Sequence, residues 1–254
     1  MGFKAQMPSL KTDQKLKPKQ SVSLCVACDG MAPDQVFSFL DRLKNPSEII
    51  IKIGLGNMFY FTDSDLKKIK SYGARLFVDA KLHDIPSQVE RAVMYWSTRG
   101  ADFITLHLSG GSEMLKTAQT SLIKNNSSTY LLGVSALTSL SKKNLKEMAV
   151  SLSASSWGLK LIACGYKSGL SHFVCAATDL EYFKKKLSRR KFDTMTWVTP
   201  GVICPGEVPH KDQKRSLDYK KAKKLGSGML VMGRSIFRSP NPAALAEEIM
   251  ENLK

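Results

Sequence analysis

Asp79-Ala80-Lys81-Leu82-His83-Asp84-Ile85-Pro86 follows directly on the strand-like run Ala74-Arg75-Leu76-Phe77-Val78. Its three central charges alternate in sign at positions 79, 81 and 84. In an extended strand, residues two apart point to the same side, so Asp79 and Lys81 are expected on one face. Pro86 cannot continue that strand and pre-sets the first turn of a helix, with Asp84 near its N-terminus. The stretch therefore reads as a β–α unit with its charges gathered at the junction. An ammonium held between two carboxylates keeps its proton, so Lys81 is read as a proton donor rather than a nucleophile. An isolated Asp-x-Lys is usually a solvated ion pair, and the surrounding chain decides between the two readings.

Outward from this unit the same pattern repeats. Strands are expected at 22–28, 48–54, 75–80, 102–107, 130–135, 171–176, 195–199 and 228–232. Helices fall between them, near 33–44, 63–71, 86–99, 111–124, 142–149 with 152–167, 179–188 and 216–225, and a last one covers 240–252. Pro33, Thr62-Asp63, Pro86 and Pro240 mark helix starts. Gly73, Gly100, Gly169 and Gly226 mark helix ends, where a left-handed residue needs no side chain. Eight β–α units in strict alternation imply a parallel sheet closed into an α/β (β/α)8 TIM barrel. The chain has 254 residues, 43% hydrophobic and 24% charged, which suits one such domain over 21–254. Residues 1–20, with five Lys, one Asp and two Pro, have little to bury and are expected to form a short disordered basic tail.

Barrels carry their active sites at the C-terminal strand ends. Those ends are Asp29, Lys52, Asp79 with Lys81, His107, Ser135 with Thr138, Cys175, Pro200 and Gly233-Arg234. The charges concentrate on strands one to three. Gly233-Arg234 follows strand eight, where barrels often bind phosphate, and an Arg adds a bidentate fork for its oxygens. One side of the mouth is thus read as a Lys/Asp array for proton chemistry and the other as an anion grip.

Other features exclude function classes. No apolar run approaches membrane-spanning length, and the first twenty residues lack the apolar core of a secretory signal. Five scattered cysteines (Cys25, Cys28, Cys164, Cys175, Cys204) suggest reduced thiols and a cytoplasmic setting. Cys25 and Cys28 sit three apart in a strand and face opposite sides, which argues against a metal or redox pair. The net charge of +16 invites a nucleic-acid reading. Its lysines, however, are spread over outer helix faces with no aromatic RNA-binding motif. His83, His107, His172 and His210 read as structural or mouth residues, and Met229 and Met232 as core.

The ordered set of strand-end motifs resembles the orotidine 5′-phosphate decarboxylase family over nearly all of 22–252. Its carriers are Val26-Ala27-Cys28-Asp29, Ile51-Lys52-Ile53-Gly54, the 79–86 stretch, and Asp102-Phe103-Ile104-Thr105-Leu106-His107 with Gly110-Gly111. Leu137-Thr138-Ser139, Thr199-Pro200-Gly201-Val202, Asp212-Gln213-Lys214-Arg215 and Val231-Met232-Gly233-Arg234 complete them. The resemblance implies decarboxylation of orotidine 5′-phosphate to uridine 5′-phosphate with no metal or organic cofactor, in a homodimer with shared active sites. Lys81 would protonate C6, Asp79 would face the substrate carboxylate, and Lys52 and Asp84 would complete the charge network, Asp84 coming from the partner subunit. Asp29 would bind the ribose, Thr138 the pyrimidine, and Gln213, Gly233 and Arg234 the phosphate, with Pro200 also against the substrate.

The chain departs from the family pattern twice. Ile203 stands where many bacterial-type members have Arg, and Gln88 where a ribose-contacting Thr is usual; Gln can still hydrogen-bond a hydroxyl. Two rivals remain. A magnesium-dependent sugar-phosphate decarboxylase on the same barrel would need an acidic ligand where Lys52 stands. A basic, non-catalytic RNA-binding barrel would leave the charges at the strand ends unexplained.

Overall fold

The structure is a computed structural model and describes residues 22–208 and 215–254. The expected tail at 1–20, Gln213 and His210 lie outside the described residues. Eight parallel strands form a closed barrel: β1 (Ser23–Ala27), β2 (Ile50–Gly54), β3 (Arg75–Leu82), β4 (Phe103–His107), β5 (Tyr130–Val134), β6 (His172–Val174), β7 (Thr196–Pro200) and β8 (Met229–Met232). Each pairs with its neighbours in chain order, and β8 closes the barrel on β1 with Cys25 opposite Val231.

Alternation along the strands builds two cores. Cys25, Ile50, Phe77, Phe103, Leu132, Val198, Met229 and Val231 point inward and fill the barrel. Their neighbours in sequence, such as Val26, Ile51, Leu76, Ile104, Trp197 and Leu230, point outward against the helices. Cys25 accordingly faces the barrel interior and Cys28 the outer layer, the opposite orientations expected of them. Parity then sets the mouth. Two residues on from inward Ile50, Phe77 and Phe103 come Lys52, Asp79 and Thr105.

Most helix signals act as expected. Pro33 and Pro86 open helices Pro33–Asp41 and Pro86–Ser97, and Thr62 caps Asp63–Ser71, accepting from Asp65 N. Gly73, Gly100, Gly169 and Gly226 all have positive φ. The last helix is a correction. It runs Pro242–Leu253 and begins after Pro240, because Asn241 accepts the Ala244 N–H at 3.2 Å and Pro242 takes the first turn. The helix expected at 216–225 is a second correction: it runs Tyr219–Leu225, because Leu217–Asp218 are taken into a two-residue strand paired with Val202–Ile203, and Asp218 caps the helix that follows. The strand Val202–Ile203 and the one-turn helices Arg189–Asp193 and Arg234–Phe237 had no sequence signal long enough to read.

The third departure lies in β3. The regular pleat assumed for Asp79 and Lys81 is broken by a shift of register against β4 between Val78 and Leu82. Within it Lys81 is left-handed, φ +48°, a conformation that costs a non-glycine residue on the order of 1 kcal/mol. Both side chains still reach the mouth, but by a bulge rather than by simple alternation.

Phe77 is 1% exposed and meets Phe103 edge-to-face at 6.2 Å in the middle of the barrel. Phe77→Ala should destabilise the protein by ~3–5 kcal/mol, since the closed barrel cannot collapse around the hole; urea unfolding measures it.

Candidate active site

Above the inward core the mouth opens on a cavity of about 750 Å³, a size suited to a nucleotide-sized ligand. Asp29, Lys52, Asp79, Lys81, Thr138, Pro200, Gly233 and Arg234 all line it. A chain of charges crosses one side. Lys52 Nζ lies 2.6 Å from Asp29 Oδ1 and 3.3 Å from Asp79 Oδ2, and Lys81 Nζ lies 2.8 Å from the same Asp79 oxygen. The ammonium held between two carboxylates of this chain is therefore that of Lys52; Lys81 meets one of them, Asp79.

Burial makes these contacts count. Lys52 and Asp79 are both buried. Burial alone would push Lys52 down, but the carboxylates of Asp79 and Asp29 outweigh it and hold the ammonium above its ordinary range. Burial would likewise push Asp79 up, yet Lys52 and Lys81 outweigh it, and its carboxyl sits below the ordinary value. Thr105 completes the cluster: its hydroxyl donates to Asp79 Oδ1 at 2.9 Å and accepts from Lys81 N at 2.9 Å. One side chain thus orients the carboxylate and secures the left-handed backbone beside it.

The neighbouring loops are fitted to this array. Asn57 is buried; its Oδ1 accepts from Gly54 N, and its Nδ2 donates to Cys28 O at 2.8 Å and Met31 O at 3.0 Å. It ties the ends of β1 and β2 together. Gly54 is required by close approach, because a Cβ there would fall on the Asp29 carboxylate. After β8, which pairs with β1, Arg234 and Arg238, one helical turn apart, both line the cavity with Ile203 and Glu207. Cys175 lines it too, with a thiol pushed well above its ordinary value by burial, which leaves it a poor nucleophile.

Two expected site residues are not brought in by this chain. Asp84 is exposed, with Oδ1 accepting from Ile85 N at 2.6 Å, and Gln88 is exposed on the following helix; neither lines the cavity. The His107 and His83 rings lie 5.4 Å apart, tilted by 40°, and burial and the neighbouring His83 and Lys81 lower the His107 pKa. Thr105, Asn57 and Arg238 were missed as site residues. Thr105 alone had a usable signal, its inward parity two residues after Phe103.

Comparison with known proteins agrees with this geometry. The family model described as orotidine 5′-phosphate decarboxylase / HUMPS family matches residues 23–249. An orotidine 5′-phosphate decarboxylase of Staphylococcus saprophyticus is 35% identical over 229 residues, 89% of this chain and 96% of that protein. One of Ligilactobacillus salivarius is 33% identical over 85% of this chain and 91% of its own. The crystal structure of the Lactobacillus acidophilus orotidine 5′-phosphate decarboxylase superposes with a TM-score of 0.77 at 28% identity, covering 91% of this chain and 98% of that one.

The pKa directions set a pH dependence. The folded Asp79 carboxyl lies below its ordinary 3.8. Its stabilisation is therefore fully present above that pH and is lost as pH falls through the lower folded value. Asp79→Asn leaves Lys52 with Asp29 alone and should cost ~3 kcal/mol at neutral pH. Thermal melting across pH should show the gap to wild type narrowing only on the acid side; a constant gap down to strong acid would mean Asp79 is not held ionised.

Proposed function

The chain belongs to the orotidine 5′-phosphate decarboxylase / HUMPS family, and from that premise we propose that it converts orotidine 5′-phosphate to uridine 5′-phosphate and CO₂, a step of pyrimidine biosynthesis. The observation that carries this reading is the Asp29–Lys52–Asp79–Lys81 array opening on the same cavity as Arg234. Barrel closure supports it further. Because β8 neighbours β1, the circular order Arg234, Asp29, Lys52, Asp79–Lys81 follows the order phosphate, ribose, base of one nucleotide.

The roles follow from that alignment. Arg234 and the backbone of Gly233 hold the phosphate, with Gln213 assigned to it by its motif alone. Asp29 and Lys52 take the ribose. Thr138 contacts the pyrimidine, and Pro200 lies against it. Breaking the C6–carboxyl bond leaves its electron pair in the ring plane, where the carbonyls delocalise it poorly. The Lys81 ammonium stabilises that charge and then transfers its proton to C6, regaining one from solvent. Asp79, 2.8 Å from Lys81 Nζ, orients the donor and repels the substrate carboxylate, a secondary effect. No metal is assigned, because Lys52 puts a positive charge where the magnesium-dependent relatives need an acidic ligand.

The direct test incubates the protein with orotidine 5′-phosphate and follows loss of orotate absorbance, with and without EDTA. Turnover should be indifferent to the chelator. Lys81→Ala should lower kcat by ~10²–10⁴-fold while product analogues still bind. Full inhibition by EDTA would overturn the metal-free reading, and retention of about a tenth of kcat in Lys81→Ala would overturn the role of Lys81.

The same proposal includes a symmetric dimer in the cytoplasm, the setting that the five free thiols support. Asp84 is exposed and does not line its own cavity, and the apolar side chains Leu55, Phe59, Tyr60 and Ile85 are exposed in the segments that follow the neighbouring strands β2 and β3. A two-fold axis there would bury that surface and give each site Asp79 and Lys81 from one chain and Asp84 from the other. Mixing inactive Lys81→Ala with inactive Asp84→Ala protein, with subunit exchange, should restore about a quarter of wild-type activity under random assortment. No recovery despite demonstrated exchange would rule out sharing.

A further inference from the structure

Arg215 is absent from the cavity lining, yet it bridges two of the loops that form it. Its Nη1 donates to both oxygens of Asp179, at 3.0 and 2.8 Å, and its Nη2 donates to the Leu137 carbonyl at 3.0 Å. Asp179 follows β6, has a side chain 5% exposed, and also accepts from Ser155 Oγ at 2.7 Å. The Leu137 carbonyl closes a turn, accepting from Leu140 N at 3.1 Å. Thr138 is the first central residue of that turn and lines the cavity. The residues just after Arg215, Leu217–Asp218, pair with Val202–Ile203, which form another part of the cavity wall. The fork thus links three successive strand ends: the turn after β5, the carboxylate after β6, and the chain returning from β7.

We infer that Arg215 is a positioning residue for the decarboxylation, holding the Leu137–Leu140 turn so that Thr138 meets the base, with Asp179 aiming the guanidinium. This rests on the activity proposed above. The planar fork matters, because one edge must reach Asp179 and the Leu137 carbonyl together. A lysine ammonium neutralises Asp179 but does not reproduce the two-partner geometry. A misplacement of the turn by about 1 Å is enough to cost on the order of 10²-fold in rate.

The test uses steady-state kinetics and melting of the full-length protein with Arg215→Lys, Thr138→Ala and the double variant. Arg215→Lys should shift Tm by less than about 4 °C. It should lower kcat/KM for orotidine 5′-phosphate at least ~10-fold, and the double variant should lose no more than the worse single, as residues acting through one turn do not add. Wild-type kcat/KM in Arg215→Lys, or losses that multiply, would overturn the inference. Should Arg215→Lys melt well below wild type, Arg215→Met/Asp179→Leu removes both charges without stranding one, and the same non-additivity with Thr138→Ala is required of it. Wild-type turnover of orotidine 5′-phosphate is the control for the underlying activity. Were that absent, backbone amide exchange in the 137–141 segment decides the linkage separately: ~10-fold faster exchange in the variant supports it, and unchanged exchange refutes it.

Discussion

Moving a carboxylate and an ammonium out of water costs several kcal/mol for each ion, and attraction between them repays it only when geometry and further hydrogen bonds are good. Asp79 and Lys52 are such a pair, both buried at the barrel mouth, 3.3 Å apart. Neither is tolerable there alone. Lys52 is held by a second carboxylate, Asp29, and Asp79 by a second ammonium, Lys81, and by the Thr105 hydroxyl. The result is a row of alternating charges with each buried member flanked by opposite charge. Around it the backbone is constrained in turn. Gly54 must lack a side chain where Asp29 comes close, Asn57 must satisfy three backbone groups beneath the loops, and Lys81 must hold φ +48°.

That dependence explains what was legible in the chain. The barrel strands were readable because inward and outward faces are both apolar, and β-branched runs bounded by Gly and Pro leave little choice of element. The charged residues were readable because a carboxylate or ammonium at a strand end has no place in a packed core. Thr105 was harder: a Thr in a strand is ordinary, and only the partners it meets across β3 and β4 give it a role. The bulge at Lys81 left no trace in the pattern, since hydrophobicity records which face is buried but not φ. The strands Val202–Ile203 and Leu217–Asp218, two residues each, are made by tertiary pairing rather than propensity. Pro240 misled because two prolines flank Asn241, and the cap rather than the first proline starts the helix.

Asp84 and Arg215 show the other limit. Both belong to charged motifs, and charge alone places neither. Asp84 sits at a helix start facing solvent in its own chain, so its use depends on what a second chain supplies. Arg215 finds its partners 36 and 78 positions away in sequence, one a carboxylate and one a carbonyl. No periodicity predicts a side chain to a backbone oxygen at that distance.

The barrel reconciles these scattered origins by closing. In an open sheet of the same strands β1 and β8 would be the two edges, with Arg234 at the far side from Asp29. Closure pairs Val26 with Met232 and brings the two within one cavity. The cavity then has a polarity of its own: a row of alternating charges on β1 to β3, the guanidinium groups of Arg234 and Arg238 after β8, and the apolar wall of Val134, Val174 and Val198 between. A ligand that is anionic at one end and a flat heterocycle at the other fits this arrangement in one orientation. Binding energy gathered at the anionic end can then be used to hold the ring against the charge row, where Lys81 stands.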